Sequence, residues 1–206
     1  MGVGRKKAVS RYHHGNLRAA LIEEGLRALK IREWQELSAR GLARKVGVSA
    51  NAAFRHFAGK DDLLAALAEE GFRRLAEVQR KAAAQPGTAA SRYRATGRAY
   101  VQFARENPSL FRLMFARFTS MQENPGVVSA AMDFLRFSLE LMAEVGDLEP
   151  GRQKVMFNVL LTWSIVHGLS NLVLDGQMQY LGGDIDEMID AVVNMEMPLL
   201  IAAERR

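Results

Sequence analysis

Apolar residues recur every three or four positions along most of this chain. Gly, Pro and Asn interrupt them at intervals, and no stretch sustains the strict alternation of a half-buried strand. Ala, Leu, Glu and Arg, which favour helices, dominate between the breaks. The pattern predicts an all-α fold of about nine helices, and most boundaries carry a chemical signal. Asn16 caps a first helix whose Leu17, Leu21, Ile22, Leu26 and Leu29 fall at helical spacing. Ser38 precedes a short second helix with Leu42 and Val46, and Gly47 suits the left-handed position beyond its last turn. Ser49 caps a third. Gly59-Lys60-Asp61-Asp62 opens a fourth, with acid near its positive end, running through Leu63, Leu64, Leu67, Phe72 and Leu75 to about Lys81. Gln85-Pro86-Gly87 is the clearest break. A fifth helix spans about 89–106, and Asn107-Pro108 restarts a sixth as N-cap and first-turn proline. Asn124-Pro125 repeats this for a seventh, which reaches Val145 before Gly146. Glu149-Pro150-Gly151 opens an eighth to about Leu174, and Asp184 caps a ninth.

Within this pattern, residues 38–57 form a helix-turn-helix unit. Ala43 is small enough for two helices to cross closely, Gly47 supplies the turn, and Leu42, Val46 and Val48 pin the pair to the first helix. The second helix of the unit carries small and polar side chains on its outer face: Ala50, Asn51, Ala52 and Arg55. Such a face lets a helix backbone sit deep in a DNA major groove, where Asn pairs with adenine and Ala meets a thymine methyl. Ser49 adds a hydroxyl and the unpaired N–H groups of a helix start, which favour phosphate. Lys60 is placed to hold the flanking backbone.

Composition narrows the field. The 206 residues include no cysteine, so there is no disulfide framework, thiol nucleophile or zinc ribbon. The apolar runs look too short to span a membrane, and no apolar stretch follows the basic start Met1–Lys7 at signal-peptide position. A cytoplasmic protein with no membrane partner is expected. The net charge of +5 is unevenly divided. Residues 1–60 hold 13 Lys and Arg against 4 Asp and Glu, whereas residues 61–206 hold 15 against 19. A basic head on a slightly acidic body suggests that the head faces nucleic acid. A solvated tail accounts for Arg5, Lys6, Lys7 and Arg11, but not for Arg40, Arg44, Lys45, Arg55 and Lys60 inside the patterned segment.

Four stretches carry a family likeness: Tyr12-His13-His14-Gly15-Asn16-Leu17-Arg18, Leu42-Ala43-Arg44-Lys45-Val46-Gly47-Val48-Ser49, Phe54-Arg55-His56-Phe57 and Lys60-Asp61-Asp62-Leu63-Leu64. Together they resemble the N-terminal domain of TetR-family transcriptional regulators. Pro108–Phe115, with Trp163, His167-Gly168 and Asp175-Gly176, is similar to the ligand-binding and dimerisation domain of a subgroup with a Trp–His–Gly signature. The resemblance implies a flexible basic arm over 1–10, a three-helix DNA-binding domain over 11–72, and a helical effector-binding and dimerisation domain over 73–206. It also implies base or phosphate contacts from Ser38, Arg40, Ser49, Asn51, Ala52, Phe54, Arg55, His56 and Lys60. The partners it implies are double-stranded DNA with a palindromic operator, a small, mostly apolar effector, and a second copy of the chain. Three positions depart from the family pattern. Phe54 replaces the usual tyrosine and its phosphate hydrogen bond, Gly41 replaces an acid that completes a capping box, and Glu33 replaces the glycine that ends helix one, with Trp34 expected beneath the turn.

Other readings stay in view. Seven phenylalanines and five methionines lie between Phe103 and Phe157, and they suit either plain core or the adaptable wall of an apolar cavity. On the cavity reading, Phe111, Phe115, Phe118, Phe137, Met156, Trp163 and His167 contact the effector. His167 reads more readily as a satisfied core histidine than as a ligand contact. His13-His14 suits phosphate contact or solvation better than metal, because adjacent residues on a helix diverge. No metal site, cofactor or catalytic group is expected: there is no His-Glu-x-x-His, phosphate-cradling glycine loop or carboxylate pair. An all-α enzyme or carrier is therefore the weaker alternative. Among regulators, a homodimeric repressor released from a palindromic operator by its effector is the expected form, with an activator of the same fold as the alternative. Val155, Val159, Leu160, Val166, Leu169 and Val173, then Ile185, Ile189, Val192, Val193, Leu199 and Leu200, give the last two helices apolar faces. The resemblance implies that these pair with a second copy as a four-helix bundle.

Overall fold

The structure is a computed structural model that describes residues 17–116 and 123–202, with 196–202 described by backbone alone. The basic arm, His13-His14, the Asn16 cap and Phe118 lie outside the described residues.

Nine α-helices occur among the described residues: α1 (Leu17–Ala28), α2 (Ala39–Val46), α3 (Ala50–Phe54), α4 (Lys60–Ala83), α5 (Ala89–Glu106), α6 (Pro108–Met114), α7 (Pro125–Gly146), α8 (Gln153–Leu174) and α9 (Ile185–Ala202). Two 3-10 turns, Trp34–Glu36 and Gln177–Leu181, complete the set. The caps act chemically where they were expected. Ser38 Oγ accepts from the Gly41 amide at 3.1 Å, and Ser49 Oγ from the Ala52 amide at 3.2 Å. Each satisfies a donor that the helix itself leaves unpaired, worth about 1 kcal/mol. Gly47 takes the left-handed conformation, φ 82°, which turns α2 into α3. Asp184 Oδ1 accepts from the Asp186 and Glu187 amides at the start of α9.

Two boundaries differ from expectation. Asn107 stands at the N-cap position of α6 with Pro108 next, but its side chain makes no capping bond there. Its Nδ2 donates back to the Phe103 carbonyl at 2.9 Å, and its Oδ1 accepts from Lys30 Nζ at 2.8 Å. It closes α5 and ties the end of α1 to this corner. α7 runs through Gly146, and Asp147 takes the left-handed turn at φ 49°. Asp tolerates that region better than most side chains.

The short helices α1–α3 pack with the first half of α4. The rest of α4 packs against α5, α6 and α7, and α5 packs in turn against α8 and α9. One hydrophobic cluster runs through this framework from Leu21 to Val193, and a smaller one gathers Tyr93, Leu141, Met142, Val155 and Val159 near the far end of α4. The first helix lies very close to α4. A Cβ added at Gly25 would stand 2.7 Å from Leu67 Cδ2 and 3.3 Å from Leu42 Cδ1. Trp34 is half-buried against the same cluster.

α8 corrects the expectation about apolar length. It is long and apolar enough to cross a membrane by length and composition. Here one face is buried within the chain through Val155, Val159, Thr162, Val166 and Leu169. A different face, with Met156, Phe157, Leu160, Leu161 and Leu172, is exposed. Most of the residues expected to meet a second copy, including Ile189 and Val193 of α9, therefore belong to the chain's own core. Of the α8 set, Leu160 lies on the open face.

Candidate nucleic-acid interface and ligand cavity

The helix-turn-helix is held from beneath. Ala53 of α3 is fully buried and Phe57, just beyond it, is 1% exposed among the residues of α1 and α4. The Arg18 guanidinium lies over the Phe57 ring, 5.5 Å from its centroid. With this side anchored, helical geometry turns Asn51, Phe54, Arg55 and His56 outward, and all four are exposed. Ala52 is half-buried beside them. Ser38, Arg40 and Ser49 are exposed at the starts of α2 and α3, and Arg44 and Lys45 extend the basic surface along α2. The nine residues expected at DNA thus lie on or bordering one end of the head. Phe54 is 45% exposed with no hydroxyl to hydrogen-bond a phosphate. Lys60 begins α4, and its ammonium donates to the Gln35 carbonyl in the 3-10 turn, leaving two further N–H groups. Asp62 Oδ2 accepts from the Ala58 amide at 3.0 Å and fixes the entry to α4.

The body contains a cavity of about 280 Å³ between α4, α5, α7 and α8. Phe72, Phe115, Phe134, Trp163 and Val166 supply much of its apolar wall. Of the residues expected to contact an effector, Phe115 and Trp163 line it. Phe111 is buried behind, tilted against Phe115 at a centroid distance of 5.0 Å. His167 also sits one layer back, with its ring 4.6 Å from Phe115. Phe137 and Met156 do not line the cavity: Phe137 is half-buried under the Arg80 guanidinium in the smaller cluster, and Met156 is 46% exposed on the outer face of α8.

His167 is held by hydrogen bonding. Trp163 Nε1, which can only donate, gives its proton to the Tyr100 hydroxyl at 3.2 Å. The Tyr100 hydroxyl also shares a hydrogen bond with His167 Nδ1 at 2.8 Å, its donor set by the imidazole tautomer. Burial holds the His167 pKa below its ordinary 6.5 and raises that of Tyr100.

Sequence reading overlooked the polar lining residues Gln79, Tyr93, Thr96, Ser138 and Thr162. A signal was present. Gln79 shares a helical face with Leu75, Ala76 and Ala83, and Thr162 one with Val155, Val159 and Val166. A polar residue on an apolar stripe needs a partner inside. Tyr93 and Thr162 supply one another, at 2.6 Å between hydroxyl oxygens. Gln79 Nε2 donates to the Thr96 carbonyl at 3.2 Å.

Comparisons with known proteins agree with this arrangement. Residues 18–67 match the family described as bacterial regulatory proteins, tetR family, and residues 93–195 match the tetracyclin repressor-like C-terminal domain. No curated protein matches the chain. Among solved structures, a protein of unknown function from Rhodococcus sp. RHA1 is 31% identical, with TM-score 0.75, covering 91% of this chain and 96% of its own. A tetR-family transcriptional regulator from Streptomyces coelicolor is 18% identical, with TM-score 0.67, covering 90% and 83%. The fatty acid degradation regulator FadR from Bacillus halodurans is 14% identical, with TM-score 0.64, covering 90% and 96%. These last two show the shared fold alone. With the first domain family covering the helix-turn-helix and the second covering half of the chain, this protein belongs to the TetR family of DNA-binding transcriptional regulators.

Proposed function

We propose that the chain acts in the cytoplasm as a homodimeric repressor that binds a palindromic operator and is released by a small, mostly apolar effector. We place it in the Trp–His–Gly subgroup through Trp163, His167 and Gly168. The division is a basic arm over 1–10, a DNA-binding domain over 11–72 and an effector and dimerisation domain over 73–206. The observation that carries the reading is the two-sided construction of α3, with Ala53 and Phe57 locked in the core and Asn51, Phe54, Arg55 and His56 turned outward. Ser38, Arg40, Ser49 and Lys60 position the helix on phosphate, Ala52 keeps the approach close, and Asn51 reads a base edge. The open apolar face of α8, with Phe157 59% exposed, supports a second copy as its cover. A twofold pair then presents two recognition helices to half-sites one helical turn apart.

Release follows from linkage. An effector that prefers one arrangement of α4, α5, α7 and α8 shifts the population of that arrangement, and operator affinity changes by the same coupling factor. α4 joins the two ends, because Lys60 lies beside the head's 3-10 turn and Gln79 in the cavity wall.

Gel shifts at fixed salt with DNA flanking the gene test the proposal. A specific fragment should bind at least about a thousandfold tighter than random sequence. Asn51→Ala should cost about 1–3 kcal/mol of discrimination at one base pair and leave the salt slope intact, whereas Lys60→Ala should weaken all DNA alike and reduce the slope by about one. Equal binding to specific and random fragments overturns the repressor reading.

A further inference from the structure

Gln79 is 5% exposed, and it lines the cavity. Its Nε2 faces the Thr96 carbonyl, which accepts and cannot donate, so the amide orientation is set and Oε1 is the other terminal atom. Oε1 has no hydrogen-bond partner among the described residues. A buried acceptor left in this condition is costly, and a bound water or the donor of a ligand would offset that cost.

The neighbouring hydroxyl protons are already committed. Thr96 Oγ1 donates to the Tyr93 carbonyl at 2.7 Å, Ser138 Oγ to the Phe134 carbonyl at 3.2 Å, and Thr162 Oγ1 to the Asn158 carbonyl at 2.9 Å. Thr162 Oγ1 and the Tyr93 hydroxyl are paired with one another. The Tyr100 hydroxyl is paired with His167 Nδ1, and the Trp163 N–H donates to Tyr100. Among the described residues, no hydroxyl or indole N–H of this wall is hydrogen-bonded to Gln79 Oε1. Among the described residues, no Asp, Glu, Lys, Arg or His lines the cavity, so a charged ligand would lose its hydration to them without compensation. A carboxylate would in addition meet Oε1 as acceptor against acceptor.

Size sets a further limit. An apolar cavity of about 150 Å³ holds benzene, so on the same scale one of about 280 Å³ holds about a dozen non-hydrogen atoms. We infer that the effector is a neutral, largely apolar molecule of about that size carrying one O–H or N–H donor, which Gln79 Oε1 accepts. The inference rests on the reading of this cavity as the effector site.

Isothermal titration calorimetry on the purified full chain tests it with three probes of one shape: 2-naphthol, 2-methylnaphthalene and 2-naphthoate. The naphthol should bind about tenfold more tightly than the methyl analogue, and the carboxylate should bind at least about tenfold more weakly than the naphthol. Gln79→Leu should abolish the preference for naphthol over methylnaphthalene while keeping methylnaphthalene binding. The comparison of probes on the unmodified chain stands even where that variant folds poorly. Equal affinities for naphthol and methylnaphthalene, or a preference that survives Gln79→Leu, overturns the donor inference and leaves the effector cavity intact. Failure of all three probes to bind overturns both.

Discussion

Around Phe57, α1, α3 and α4 close on one another so tightly that a glycine, Gly25, is needed where α1 meets Leu67. Around Gln79, α4, α5, α7 and α8 stand apart and line a cavity of about 280 Å³. The head uses each short helix once, with one apolar face inward and one polar face outward. In the body, α8 is apolar on two faces and α4 carries a glutamine on its inner face. The contrast locates the two chemistries. On the proposed function, DNA recognition belongs to the outside of a filled core, and small-molecule recognition to the inside of an unfilled one. A tightly packed head holds Asn51 and Arg55 in fixed register, while a looser interior leaves a ligand something to contribute.

The largest test of this contrast is Phe57→Ala. It should cost about 3–5 kcal/mol in urea unfolding and abolish operator binding in gel shifts, because the site beneath α3 has no room to collapse. A loss under about 1 kcal/mol would mean that the head is not packed as described. Next is a pair of enlargements that should separate the regions. Gly25→Val should destabilise by about 1–3 kcal/mol against Leu67 and Leu42. Ala131→Leu at the half-buried cavity wall should stay within about 1 kcal/mol of the parent in either direction while weakening 2-naphthol binding. Equal costs at the two sites would break the comparison.

The smallest effect is that of pH on the body. His167 is held below 6.5 by burial, so the unfolded chain takes up the proton first as pH falls. Its contribution to stability is complete above 6.5 and is lost as the pH drops through the window beneath that value. Between about pH 7.5 and 5.5, the fall in Tm should be shallower in His167→Gln, which keeps an acceptor for Tyr100, than in the parent. Parallel curves for the two proteins would show that His167 does not titrate differently on folding.

The head was legible because its signals are local. Ser38, Gly47 and Ser49 mark turns through their own backbone chemistry, and each apolar stripe has a single destination. The body was less so, for a physical reason. Periodicity shows that α8 is apolar but not which of its faces meets α5 and which stays open, and Met156 was accordingly expected at the ligand and found outside. Phe137 falls to the smaller cluster on the same account. The cavity's polar residues come from α4, α5, α7 and α8, and their meeting depends on how these helices cross. Gln79 looks like a solvated residue until Thr96 is seen against it. The tie from Lys30 to the Asn107 side chain was hidden because the two lie 77 positions apart.

The two tryptophans of the chain fall one to each region, Trp34 half-buried in the turn after α1 and Trp163 in the cavity wall. The protein therefore carries its own optical labels. Trp34→Phe leaves an emission that reports occupancy beside Tyr100, and Trp163→Phe leaves one that reports the packing of the head. Followed separately during a ligand titration, the two colours would time the message from its source to the end that touches DNA.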